Sequence, residues 1–166
     1  MTLFTPPDDH QGAGPLIFLA GPIQGGPDWQ AEAVAHIQDL DAAMPIASPR
    51  RLTRSRGEFD AAMYHEQVTW EHRHLEMAAT NGVILFWLAR EAEHRCDRAY
   101  AQTTRLELGI ALGWHQFRGS RVVVGIEEGF SNARYIRHTL KSKYPGIPLL
   151  GDLKETCAAA VRAATA

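Results

Sequence analysis

The sequence predicts a doubly wound α/β fold, and three observations carry that prediction. Short continuous apolar runs, Leu16–Ala20, Val83–Leu88 and Val122–Ile126, read as strands buried on both faces. The stretches between them space their apolar residues as helices do, and several begin with a residue able to cap a helix. Strand and helix then alternate five times without an internal repeat or linker, which implies a parallel sheet covered on both faces through right-handed crossovers. For five strands, a flavodoxin-like five-stranded order is the simplest arrangement.

Taken in order, residues 1–14 carry prolines, acids and glycines without periodicity. They are expected to form a flexible N-terminal tail ahead of a single domain over residues 15–166. After the first strand, Gly21-Pro22-Ile23-Gln24-Gly25-Gly26 makes a turn-rich loop. Asp28 caps a helix to about Ala43, anchored by Trp29, Val34, Ile37 and Leu40. Pro45 to Pro49 holds a brief strand. Arg50 to Gly57 is a polar loop with Arg50, Arg51, Arg54 and Arg56; such a cluster can hold a phosphate, although a solvated loop is the commoner outcome. A long helix is expected from Glu58 to about Thr80. It shows Phe59, Met63, Trp70 and Met77 on one face and Tyr64, Val68, Leu75 and Ala79 on another. A helix apolar on both sides is sandwiched in a core or shared with a second subunit. Asn81-Gly82 ends it, since both residues tolerate the left-handed conformation. Arg90 to Gln102 is a charged loop, followed by a helix to about Phe117. Ser131 caps a helix towards Lys143, Pro148-Leu149-Leu150 makes a last strand, and Asp152-x-x-Glu155 opens a terminal helix with a capping box.

Composition removes several classes. The net charge of −2 gives no electrostatic case for nucleic acid or an anionic membrane as partner. No apolar run approaches a bilayer span, and the N-terminus has no signal-peptide pattern, so a cytoplasmic location is expected. Cys96 and Cys157 have neither disulfide nor metal-ligand spacing. Ser120, Ser131 and Ser142 lack the strand–turn–helix context of a serine nucleophile. The first loop is neither a P-loop nor a dinucleotide fingerprint.

What remains is a set of acids. Thr103-Thr104-Arg105-Leu106-Glu107-Leu108-Gly109-Ile110-Ala111 opens a helix and presents Glu107 beside Gly109 and Gly113. Thr104-x-x-Glu107 also reads as a capping box, in which Glu107 only reaches back to the backbone. Free of that bond, Glu107 is a carboxylate presented one turn inside a helix, where the helix N-terminus would keep it ionised. Glu71 flanks the stripe Tyr64, Val68 and Leu75, with His74 one turn on; it is either paired, solvated, or held for proton transfer. His72 and His74 point their rings in different directions, and His65 and His94 add no diagnostic spacing, so no metal is expected. Two carboxylates lining one crevice suit chemistry at a glycosidic carbon.

These residues resemble the nucleoside 2-deoxyribosyltransferase family, in its deoxyribosyltransferase-like branch. The resemblance lies in the strand followed by Gly21–Gly26, in Trp70-Glu71, in Val83–Trp87 and above all in Thr103–Ala111. The first loop is also similar to the Gly-Ser-Ile-Arg-Gly-Gly loop of deoxynucleoside-monophosphate N-glycosidases. The resemblance implies a flavodoxin-like fold, a homodimer or higher homo-oligomer, no cofactor, and transfer or hydrolysis at the bond between base and sugar. It places the nucleophile at Glu107, with Glu71 or His74 handling the proton or orienting a sugar hydroxyl. Gly21, Pro22, Ile23, Gln24, Gly25 and Gly26 would hold the sugar or its 5′ substituent, Trp87 would border the base, and Asp97 and Thr104 would complete the site. The chain departs from the family pattern at Phe18, usually tyrosine, at His74, usually aspartate, and around Asn81-Gly82, usually acidic. Two alternatives stay open: a nucleotide-sensing module on the same fold, and cleavage of the nicotinamide–ribose bond of NAD.

Overall fold

In a computed structural model, residues 2–12, 14–51 and 61–166 are described. The elements in chain order are β1 (Leu3–Phe4), β2 (Ile17–Ala20), α1 (Trp29–Leu40), β3 (Ile46–Ala47), α2 (Ala61–Asn81), β4 (Val83–Leu88), α3 (Gln102–Arg118), β5 (Val122–Ile126), α4 (Ala133–Lys143), β6 (Leu149–Leu150) and α5 (Leu153–Thr165). The expected helix start at Glu58, with Phe59, lies outside the described residues, as do Arg54 and Arg56.

The three apolar runs form the sheet centre because their residues need cover on both faces. Every residue of β2, β4 and β5 is buried. The strands are all parallel, in the order β1-β3-β2-β4-β5-β6. Alternate side chains enter opposite layers. Phe18, Ile84, Phe86 and Val124 pack under α2, α3 and α4, whereas Ile17, Leu19, Leu85 and Val123 pack under α1 and α5. The doubly wound parallel sheet is as expected, but it has six strands where five were expected.

The sixth strand comes from the segment expected to be a loose tail. Leu3–Phe4 pairs with β3, and the Ile46 and Ser48 amides donate to Thr2 O (2.6 Å) and Phe4 O (2.9 Å). Beyond β1 the segment lies along α2. The Trp70 indole N–H donates to Asp8 O (2.8 Å), the His10 amide donates to His74 Nε2 (3.1 Å), and Arg73 pairs with Asp9. Two paired residues carry no readable period, which is why the sequence concealed them.

Asp28 and Asp152 cap α1 and α5 as expected, each accepting from the backbone three residues on. Ser131 does not cap α4. Asn132 takes that position at φ 58°, and Arg105 donates to Ser131 O (2.8 Å) and Oγ (2.9 Å) instead. Asn81-Gly82 does end α2, but neither residue has a positive φ. Gly82 is needed for space, since a Cβ there would lie 1.9 Å from Leu16 O. Among the described residues, no helix is long and apolar enough to cross a membrane.

The chain leaves β2 for β3 on one side and β4 for β5 on the other, so the topological switch falls between β2 and β4. Open α/β sheets bind ligands at the carboxyl ends of strands at such a point. The loops after β2 and β4 meet there.

Candidate active site

The loop after β2 is closed on itself and on its neighbour. Gly25, at φ 79°, turns its carbonyl to accept the amides of Ala92 (2.8 Å) and Glu93 (3.0 Å). The Trp29 indole N–H donates to Pro22 O at 2.9 Å. Arg50 donates to Gln30 Oε1 (2.9 Å), Pro27 O (3.0 Å) and Ile23 O (3.3 Å), and pairs with Asp28. Gly21 and Pro22 are therefore buried, Ile23, Gly25 and Gly26 half-buried, and Gln24 exposed at the tip. Tyr100 reaches back under the second loop, its hydroxyl donating to Ala89 O (2.9 Å) and Arg90 O (3.2 Å), and burial holds that phenol above its ordinary range. The arginine cluster is accounted for in part: Arg50 clamps the first loop, and Arg51 is bonded to Gln67 and Glu66.

Glu107 stands apart from these bonded groups. Helix α3 begins earlier than the capping-box reading requires, from Ala101 at φ 56°, with no side-chain cap. Thr104 is already helical and buried, so Thr104-x-x-Glu107 is not a capping box. Glu107 sits beyond the first turn, half-buried, with no hydrogen-bond or ion-pair partner among the described residues. Burial, with the nearby charge of Glu71, pushes its carboxyl up to about 8. This direction is opposite to the one expected from the helix N-terminus. Desolvation and a like charge outweigh a dipole felt only within the first turn.

Glu71 faces it from α2. Its Oε1 accepts from Gln67 Nε2 at 2.7 Å, and the same amide donates to Pro49 O at 2.8 Å. Burial raises the Glu71 carboxyl, opposed by the Gln67 hydrogen bond and the charge of His72. The two acids of the sequence reading do come together. Gln67 was missed, although its i,i+4 spacing to Glu71 was visible in the chain. Tyr100 was missed too, because nothing in a charged loop signals an inward phenol.

Three other candidate residues have surroundings of their own. His74 is fully buried and stacked on Trp70 at 4.0 Å between ring centroids; Nδ1 donates to Trp70 O (2.9 Å) and Nε2 accepts from the His10 amide. Burial lowers its pKa, and neither nitrogen is left for a substrate. Trp87 belongs to the layer under α1 and α5, away from α3, because its neighbours Phe86 and Leu88 take the other face. Asp97 stays exposed on its loop and pairs with Arg95 at 2.9 Å, which holds its carboxyl below the usual range. Phe18 is buried, with its ring 6.4 Å from that of Trp70 between centroids. Two open hollows, of about 280 and 370 Å³, lie against α4, bordered by Tyr135 and Ile136 and by Tyr144 and Pro148 respectively. Neither includes the carboxylates, so the site is defined by the acid pair and the switch point instead.

A doubly wound parallel sheet with two crowded glutamates on the helices that flank its central strands defines the class, an α/β protein with an acid pair. Residues 14–130 match the family model described as nucleoside 2-deoxyribosyltransferase like, and the chain belongs to that family. No curated protein matches it. Among solved structures it is similar to a conserved protein from Enterococcus faecalis V583, at 14% identity over 90% of this chain and 98% of that one, with a TM-score of 0.53. At that identity the likeness concerns the fold alone.

Proposed function

We propose that this protein cleaves or transfers at the N-glycosidic bond of a nucleoside or nucleotide, with Glu107 as nucleophile. The observation that carries the reading is a carboxylate on α3 without a bonding partner among the described residues, crowded by a second acid, in a chain of this family. Once ionised, Glu107 attacks C1′ of the sugar. A C–O bond forms as the C–N bond breaks, and the electron pair leaves with the base, which takes up a proton. Water or a second base then opens the sugar ester and restores the carboxylate. Glu71, as the acceptor, orients a sugar hydroxyl, while the loops after β2 and β4 border the substrate.

The raised pKa of Glu107 supports a resting site that holds its proton at neutral pH, with reactivity growing as the proton is lost. Incubating the protein with nucleosides, nucleotides and NAD, and following free base by chromatography, tests the reading. Base released by the wild type and none by Glu107→Gln is the expected result. Unimpaired release by that variant, or binding without release, overturns it, the latter in favour of a sensing module. We also infer a homodimer or larger assembly, from the outward side of α3, where Leu106 is 66% and Phe117 88% exposed. A monomer mass in light scattering overturns that.

A further inference from the structure

Two glutamates that face each other share one problem: they repel when both are ionised, so one keeps its proton longer. The residue types do not say which one. Gln67 does. Its amide is held from three sides, with Oε1 accepting from Arg51 Nε (2.9 Å) and Nε2 donating to Pro49 O (2.8 Å) and to Glu71 Oε1 (2.7 Å). Turning the amide over would set its oxygen against two acceptors and its nitrogen against the Arg51 donor. Arg51 is itself fixed by Glu66, 2.6 Å from Nη2. The amide can therefore only donate to Glu71, and a donor favours the charged carboxylate. Among the described residues, none gives Glu107 such a bond.

We infer that Gln67 is a positioning residue that assigns the charge within the pair, holding Glu71 as the carboxylate and leaving the proton to Glu107. Its catalytic consequence rests on the glycosidic reading above: Glu71 stays an acceptor for a sugar hydroxyl, and the proton that must leave before attack is the one on Glu107. Among the described residues, the groups facing the pair are these. Glu107 approaches from α3, His72 lies beside Glu71 on α2, and Arg51 and Glu66 stand behind the neutral amide. The directions agree, since the Gln67 bond lowers Glu71 against burial, whereas burial and Glu71 both raise Glu107.

The test is a site-assigned ¹³C-carboxyl NMR titration of the intact protein. In the wild type, Glu107 is expected to titrate after Glu71. In Gln67→Met, of similar length but without a donor, the order is expected to reverse, with Glu71 taking the later step. Gln67→Asn keeps the amide but withdraws it by one methylene; it carries the same expectation should the methionine variant not fold. A side chain that served packing alone would leave the order unchanged, and an unchanged order overturns the inference. This readout needs no substrate. Absence of base release from the wild type would fail the glycosidic reading while the titration still decides the role of Gln67.

Discussion

On α2, Glu71 and His74 stand less than one turn apart, yet the fold treats them in opposite ways. His74 is sealed, with its ring stacked on Trp70 and both nitrogens bonded to backbone. Glu71 is held by one amide and left facing another acid. The first arrangement secures the N-terminal segment. The second costs stability, because both carboxyls are desolvated and close to a like charge. The contrast separates a polar group locked into structure from one left crowded by a like charge. It also fixes opposite responses to pH. Glu107, raised to about 8, gives stability that is complete below its ordinary 4.5 and lost as pH rises through 8. His74, lowered by burial, gives stability that is present above its ordinary 6.5 and lost as pH falls, when Nε2 takes a proton and drops the His10 amide.

The sharpest break in this contrast is catalytic. Glu107→Gln should lose base release by about 10⁴-fold or more, the scale of removing a nucleophile, and steady-state kinetics measures it. His74→Ala, by contrast, should keep the wild-type pH dependence of release. Next in size, kcat/KM of the wild type should fall about tenfold per pH unit below the Glu107 limb near 8. A flat profile would detach Glu107 from the chemistry. On the structural side, His74→Ala should cost about 2–4 kcal/mol in urea unfolding, from a lost stack and two lost hydrogen bonds. The smallest effect is a slope: Glu107→Gln should flatten the decline of the melting temperature between pH 5 and 8, read by calorimetry, because the neutral amide has no proton to lose.

Much of the fold was legible because the central strands are apolar without interruption, and only a sheet interior accepts Val83–Leu88 or Val122–Ile126. The edge was not. Leu3–Phe4 is too short for a period, and the prolines that follow disguise it. For the site, the sequence brought Glu71 and Glu107 together but misjudged their surroundings. Helix α3 starts from Ala101 in a left-handed conformation that no residue preference announces, so the Thr104 cap never forms. The placement of Trp87 depended on strand phase, and a buried run hides its phase because both faces are apolar. The Glu107 pKa depended on a tertiary neighbour that helix-end reasoning does not contain.

The bonds from Ala92 and Glu93 to the single carbonyl of Gly25 reach beyond local order. They tie the loops after β2 and β4 together, so neither loop can swing aside alone without tearing both bonds. Movement of either loop is thus coupled to movement of the other.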